Sequence, residues 1–125
     1  MTLVDTSSWI EFLRGGESAP GQRVKALLSH GEAAWCDMTL VELWNGARGH
    51  AERKVLGELE EEIQLFPIND QVWAGARRLA GRCREKGVTA TSPDIVIVAC
   101  AAHHEIPLEH CDRHFDQILP HAGKA

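Results

Sequence analysis

The first residues constrain the fold more than any other stretch, because they switch abruptly from one structural pattern to another. Leu3 and Val4 form an apolar, strand-like run that stops at Asp5, and three hydroxyl-bearing residues follow. Apolar side chains then recur at helical spacing, at Trp9, Ile10, Phe12 and Leu13. We therefore predict a buried strand and a strand-to-helix turn, with Ser7 or Ser8 as the helix cap. Such turns form the ligand crevice of open α/β sheets, although Asp5 alone is equally compatible with a plain turn or cap residue.

The same alternation of short apolar runs and helical periodicity continues along the chain. Further strands are predicted at residues 33–36, 65–68 and 107–111, and further helices at residues 20–30, 39–47, 48–62, 70–86, 92–102 and 115–119. Residues 92–102 contain four successive β-branched residues, but their Ser-Pro-Asp start and alanine-rich second half favour a helix over a strand. The pattern predicts an α/β fold of three layers, a short, mainly parallel central sheet flanked by helices. We expect a single domain over residues 1–125, with a frayed tail at 121–125.

Size and composition limit the possible classes of protein. A chain of 125 residues, 44% of them hydrophobic, can bury a core without disulfides or structural metal ions. The formal net charge of -5 provides no global basic field, so a nucleic-acid partner would have to be held by local cations or metal ions. The four cysteines form no Cys-x-x-Cys pair, which indicates reduced thiols and a cytoplasmic protein. We expect neither a secretion leader nor a membrane-spanning segment.

Four acidic residues occupy positions that parallel sheets use for ligand sites. Asp5 and Asp112 each follow an apolar strand, and Glu42 and Asp94 are each predicted in the first turn of a helix. Strand ends and the starts of the following helices share one edge of a parallel sheet, so the four carboxylates are expected to converge. A divalent cation removes their mutual repulsion, and oxygen-only ligands suit Mg²⁺ or Mn²⁺. Helix capping alone is the alternative explanation for Glu42, Asp94 and Asp112.

The motifs around these acids, taken together and in order, resemble a known family. Val4-Asp5-Thr6-Ser7, Thr39-x-x-Glu42-Leu43, Ser92-Pro93-Asp94 and Cys111-Asp112-Arg113-His114-Phe115 are similar to the motifs of PIN domains, and in particular of VapC toxins of type II toxin–antitoxin systems. The resemblance spans nearly the whole chain. It implies a PIN-like fold and a Mg²⁺- or Mn²⁺-dependent ribonuclease that hydrolyses RNA phosphodiester bonds.

The resemblance also implies a role for each matching residue. Asp5 and Asp94 would be the principal metal ligands, and Glu42 and Asp112 would complete an acidic quartet that orients water. Thr6 or Ser7 would correspond to the hydroxyl beside the first acid, near the substrate. The family often has a further acid two positions after the fourth site, where this chain has His114. Asp116 lies nearby in sequence and is a possible additional or substitute ligand.

A zinc site is a less favoured interpretation of the same segment. His110, Cys111 and His114 are zinc-ligand types, but no second, suitably spaced pair accompanies them.

Partners follow from the same resemblance. A cognate antitoxin, with a basic residue in the acidic pocket, would inhibit the enzyme. An amphipathic antitoxin helix or a second copy of the chain would lie on apolar side chains of the early helices, at Trp9, Phe12, Leu13, Leu40 and Trp44. The rival interpretation is a non-catalytic PIN-like protein that acts with its antitoxin in DNA-binding autoregulation. A phosphoacceptor aspartate of the receiver type fits less well, because adjacent acids near the first strand and a late lysine are not apparent.

Overall fold

A computed structural model describes residues 1–123 and shows four short strands in one sheet. The strands are β1 (Thr2–Val4), β2 (Ala33–Trp35), β3 (Gln64–Leu65) and β4 (Leu108–Glu109). Their order is β3-β2-β1-β4, and every pairing is parallel. The predicted parallel α/β sheet is therefore confirmed, with the strand that carries Asp5 at its end in a central position.

Seven α-helices connect and cover the strands within the described residues. They are α1 (Thr6–Leu13), α2 (Ala19–Ser29), α3 (Asp37–Gly46), α4 (Gly49–Glu62), α5 (Asp70–Glu85), α6 (Ser92–His103) and α7 (His114–Ile118). The ambiguous segment at 92–102 is a helix, as predicted, and all residues from Ile95 to Ala101 are buried in it. A helix that is apolar all round must be buried, and α6 packs against its neighbour α5 and shares a core cluster with Leu3 of the sheet.

The core divides into two halves, one on each face of the sheet. Leu3 belongs to the half covered by α5 and α6, whereas Val4 belongs to the half covered by α1 to α4. Successive strand residues point to opposite faces, so the pair Leu3-Val4 anchors both halves. In the second half, the rings of Trp9 and Trp35 lie 4.9 Å apart and join α1 to β2. Burying two such large side chains fixes the position of α1, and with it the turn that precedes it.

Helix starts differ from the predictions in ways that matter for the site. Asp5, and not Ser7 or Ser8, caps α1, because its carboxylate accepts hydrogen bonds from the backbone N–H groups of both serines. Helix α3 begins at Asp37, so Glu42 lies in the middle of that helix and not in its first turn. The predicted placement of Glu42 in the first turn of a helix is therefore wrong, and so is the alternative explanation that Thr39 and Glu42 form a capping box.

The end of the chain also departs from the prediction. Strand β4 is limited to Leu108 and Glu109, and α7 starts at His114 after Arg113, so Asp112 is not the cap residue of that helix. A 3₁₀ turn covers Leu119–His121, where Arg82 Nε donates to the carbonyl oxygen of His121 at 2.9 Å. Of the predicted tail, residues 124 and 125 lie outside the described residues. No helix in residues 1–123 is long and apolar enough to cross a membrane.

Candidate active site

Asp5 lies at the carboxyl end of β1 and is 2% exposed. Its carboxylate accepts hydrogen bonds from Ser7 N at 3.2 Å, from Ser8 N at 3.3 Å and from Ser7 Oγ at 2.8 Å. Three donors and the start of α1 thus hold one carboxylate at the end of the central strand. The side chain is both a helix cap and a pre-positioned acid.

Burial is the largest influence on the pKa of Asp5. Desolvation raises the pKa of its carboxyl above the usual value of 3.8, and the hydrogen bonds from Ser7 and Ser8 oppose this shift. Within residues 1–123, no Lys or Arg forms an ion pair with Asp5. A buried, uncompensated carboxylate favours either a proton or a bound cation.

Glu42 reaches the same edge of the sheet from the middle of α3. Its Oε1 accepts a hydrogen bond of 2.7 Å from Thr6 Oγ1, and Thr6 also contacts the buried hydroxyl of Thr39 at 3.3 Å. Because Thr6 directly follows Asp5, this bond places Glu42 beside the turn that holds the first acid. Two hydroxyls lie beside Asp5, those of Thr6 and Ser7, and each donates a hydrogen bond to an acid of the predicted quartet.

Asp94 and Asp112 form a second pair in the site, together with His114. Asp94 is in the first turn of α6, where Thr91 caps the helix. Burial raises the pKa of Asp94, a hydrogen bond from Thr91 lowers it, the charge of Asp112 raises it and His114 lowers it. Asp112 and His114 therefore lie close enough to act electrostatically on Asp94. The ring of His114 bonds Asp112, with Nδ1 to Oδ1 at 2.9 Å.

Cys111 connects the two parts of the site. Its Sγ donates to Ser7 Oγ at 3.4 Å, across 104 positions of sequence, while Ser7 itself bonds Asp5. The segment that carries Asp112 is thereby held against the turn that carries Asp5. Sequence reasoning did not give Cys111 this contact, and no local signal indicates it, because both partners belong to unrelated motifs.

The predicted acids share one edge of the sheet but do not form a closed cluster. Within the described residues, no three His, Cys, Asp or Glu side chains are already close enough to hold a metal ion. Asp116 is turned toward His110, with 3.5 Å between Oδ1 and Nε2. No Lys or Arg of residues 1–123 forms an ion pair with Glu42 or Asp94 either. Asp5, Glu42 and Asp94 are thus carboxylates without a Lys or Arg partner among residues 1–123, and oxygen ligands of this type suit a hard divalent ion.

Comparisons with known proteins identify the family of this chain. The PIN domain family matches residues 2–118. Ribonuclease VapC21 of Mycobacterium tuberculosis is 30% identical over 77% of this chain and 72% of its own length. Ribonuclease VapC11 of the same organism is 30% identical over 94% of this chain and 91% of its own length.

The fold has a solved counterpart as well. The crystal structure of VapBC2 from Rickettsia felis, bound to a DNA fragment from its promoter, aligns with a TM-score of 0.79 at 12% identity, over 97% of this chain and 94% of that chain. At this identity the likeness concerns the fold alone. From the family match and the two relatives, this chain belongs to the PIN-domain family and, within it, to the VapC ribonucleases.

Proposed function

We propose that this chain is the toxin of a type II toxin–antitoxin system, a single PIN domain that hydrolyses RNA phosphodiester bonds in the cytoplasm with Mg²⁺ or Mn²⁺. The observation that carries the proposal is Asp5, a buried carboxylate at the end of the central strand with no cationic partner within residues 1–123. Its relatives VapC21 and VapC11 are ribonucleases by name. Carboxylates without a cationic partner, at the carboxyl edge of a parallel sheet, are suitable ligands for a divalent metal ion.

Asp5 and Asp94 would hold the metal, with Glu42 and Asp112 at the margin of the site. A divalent ion held by carboxylates supplies an activated water and stabilises negative charge on the leaving oxygen. The chain's own residues do the positioning. Ser7 fixes the Asp5 carboxylate, and Thr6 fixes Oε1 of Glu42, which leaves Oε2 to accept a proton from a water molecule.

The partner proposed for this enzyme is a cognate antitoxin. Exposed apolar side chains lie on α1, α3 and α4, at Leu13, Val41, Trp44 and Val55. Trp9 and Leu40, which were also expected to contact the antitoxin, are core residues. A partner can therefore contact only the exposed apolar side chains. An amphipathic helix is the kind of ligand that covers such a surface. A homodimer, or a larger toxin–antitoxin assembly, would use the same kind of apolar contact.

RNA cleavage by purified protein tests the proposal. Wild type should cleave RNA with Mn²⁺ or Mg²⁺ and not in EDTA, and Asp5→Asn and Asp94→Asn should each lose at least about 100-fold in rate, as expected when an active site loses an electrostatic group. Asp70→Asn is the matched control, since Asp70 is an exposed residue in the first turn of α5. Cleavage that survives both site variants would exclude the assigned site. Absence of metal-dependent cleavage would favour the non-catalytic, DNA-regulatory alternative.

A further inference from the structure

A groove of about 230 Å³ lies between α5 and α6, away from the four predicted acids. Apolar side chains contribute to its lining, among them Leu79, Ala99 and Ala102. Arg78 and Arg82 line it as well, and within residues 1–123 no Asp or Glu does. We propose that this α5–α6 groove binds a phosphate of the RNA strand a few nucleotides away from the bond that is cleaved. The inference rests on the proposed function and adds to it a place where the substrate is held.

The two guanidinium groups of the groove have hydrogen-bond donors available. Arg82 Nε donates to the carbonyl oxygen of His121 at 2.9 Å, which fixes the group and uses one of its five N–H donors. Neither Arg78 nor Arg82 forms an ion pair with an acid in the part of the chain that the structure describes. A guanidinium without a carboxylate partner can bind a phosphate through two parallel hydrogen bonds. The groove therefore suits a phosphate group.

The absence of a side chain at Gly75 keeps the groove open beside Arg78. Glycine in the interior of a helix is about 1 kcal/mol less favourable than alanine. Close packing does not require a glycine here, because the nearest atom to an added Cβ, outside the adjacent turns of α5, is Arg78 Nη2 at 3.8 Å. The guanidinium of Arg78 thus lies beside Gly75, at the groove.

The charge distribution of the chain favours such a site. The net charge is -5, and the carboxylates of the proposed active site repel phosphates until a metal ion is bound. Of the 13 Lys and Arg residues in the chain, four are arginines of α5: Arg77, Arg78, Arg82 and Arg84. Two of these four line the groove. Local cations of this kind offset the repulsion and hold the strand.

Helix α6 joins the groove to the proposed active site. Asp94 is in the first turn of α6, and Ala99 and Ala102 of the same helix line the groove. At about 1.5 Å per residue, the groove begins roughly 8–12 Å from Asp94 along the helix axis. This distance corresponds to roughly two to four nucleotides, at about 3.4 Å per nucleotide of a stacked strand. The segment that carries Asp112 continues through α7 to Ala122, which also lines the groove. This continuity with the proposed active site favours RNA over an acidic peptide as the occupant.

Fluorescence anisotropy of a labelled single-stranded RNA dodecamer of mixed sequence tests the groove in EDTA, where binding is measured without cleavage. Arg78→Gln should weaken binding about tenfold, because it removes a charge-assisted hydrogen bond. It should also reduce the slope of log affinity against log salt concentration by roughly 0.7, the value for one phosphate contact on a single strand. Arg77→Gln is the matched control, since this exposed neighbour loses the same charge from α5 but does not line the groove. The control should bind RNA nearly as tightly as wild type.

Arg82→Gln is the second variant and should weaken RNA binding by a similar factor. Urea unfolding of this variant shows whether loss of the bond to His121 has changed the stability of the fold. Arg78→Gln tests the groove independently of this bond. In wild type, inorganic phosphate should compete with the RNA, and this competition should weaken in Arg78→Gln.

The outcomes separate this inference from the proposed function. Equal RNA affinity in Arg78→Gln and Arg77→Gln, together with metal-dependent cleavage by wild type, would overturn the groove alone. Binding of a hexaglutamate peptide as tight as that of RNA, and lost in Arg78→Gln, would assign the groove to an acidic protein partner and overturn the RNA assignment. Wild type that binds RNA through Arg78 but cleaves none with Mn²⁺ or Mg²⁺ would support the groove and exclude the ribonuclease.

Discussion

The hydroxyl of Thr6 donates a hydrogen bond of 2.7 Å to Oε1 of Glu42, across 36 positions of sequence. This bond joins the first residue of α1 to the middle of α3. Thr6 directly follows Asp5 in the chain. The same short turn therefore carries Asp5 and also holds Glu42 through the hydrogen bond from Thr6. The Thr6 hydroxyl therefore sets the orientation of the Glu42 carboxylate.

Replacing Thr6 by Val should lower RNA cleavage by about tenfold or more at saturating metal, because a hydrogen bond to a charged group contributes roughly 1.5–3 kcal/mol. Valine keeps the shape of threonine but removes the donor, so Glu42 Oε1 loses its orientation. Single-turnover cleavage rates measure the effect. Thr89→Val, at an exposed position outside the site, is the control. Equal rates for both variants would show that Glu42 needs no such support.

The contact between α1 and α2 depends on a glycine. A Cβ added at Gly21 would lie 2.8 Å from Cα of Gly16 and 3.1 Å from the carbonyl oxygen of Glu11. Backbone atoms cannot yield as a flexible side chain would, so Gly21→Ala should lower the free energy of unfolding by about 1–3 kcal/mol. Urea denaturation measures it.

Gly57 is the matched control for this substitution. It lies within α4 with no atom within 4 Å of an added Cβ. Gly57→Ala should therefore raise the free energy of unfolding by roughly 0.5–1 kcal/mol, the usual gain from alanine in a helix. A loss at Gly57 as large as that at Gly21 would contradict the argument from close backbone approach.

The sequence predicted the elements that apolar periodicity specifies. The helical character of α6 followed from its Ser-Pro-Asp start, and the end of β1 followed from an apolar run that stops at Asp5. It misplaced Glu42, because Thr39-x-x-Glu42 has the spacing of a capping box. In the structure Thr39 is fully buried and contacts Thr6, and the helix has already begun at Asp37. Thr39 thus makes a tertiary contact with Thr6, whereas its local sequence pattern predicts a helix cap.

The contacts within the candidate site could not be predicted from the sequence. Acids at strand ends and helix starts are visible in sequence, since parallel sheets bring those positions to one edge. The bond from Cys111 to Ser7 links positions 104 residues apart and follows from no local rule. The bond from His114 to Asp112 is short-range, yet it depends on where β4 ends, two residues earlier than predicted.

The exposed tryptophans offer a test of the antitoxin surface. Trp44 of α3 is 37% exposed and its Nε1 donates to Glu60 of α4 at 2.8 Å, which holds the ring in place. A fixed aromatic side chain is the type of residue that dominates binding energy at protein interfaces. Trp44→Ala should weaken binding of the proposed cognate antitoxin by at least about tenfold, since such residues contribute about 2 kcal/mol or more. Calorimetric titration measures the affinity.

Trp73 of α5 provides the comparison, because it is 42% exposed on the other face of the sheet. Trp73→Ala should leave antitoxin affinity unchanged and should cleave RNA at the wild-type rate. If Trp73→Ala weakened the complex and Trp44→Ala did not, the partner would lie on α5 and the assigned surface would be wrong.

The charge of Asp5 should connect the proposed metal binding to the stability of the fold. Its pKa is raised above 3.8 in the folded protein, so folding favours the protonated form. The contribution of this group to the free energy of unfolding is therefore fully present below pH 3.8 and is lost as pH rises through the folded-state pKa. Asn is about as good a helix cap as Asp and has no charge to bury, so Asp5→Asn should escape this loss.

Urea unfolding from about pH 4 to about pH 8 in EDTA measures the effect, with wild type losing stability relative to Asp5→Asn as pH rises. A ligand stabilises the state that binds it, so Mn²⁺ at neutral pH should raise the stability of wild type and leave Asp5→Asn unchanged. The two results together would identify the buried charge as the group that the metal neutralises. A difference between the two proteins that stayed constant with pH would mean that Asp5 does not titrate with folding, and equal stabilisation by Mn²⁺ would place the metal elsewhere.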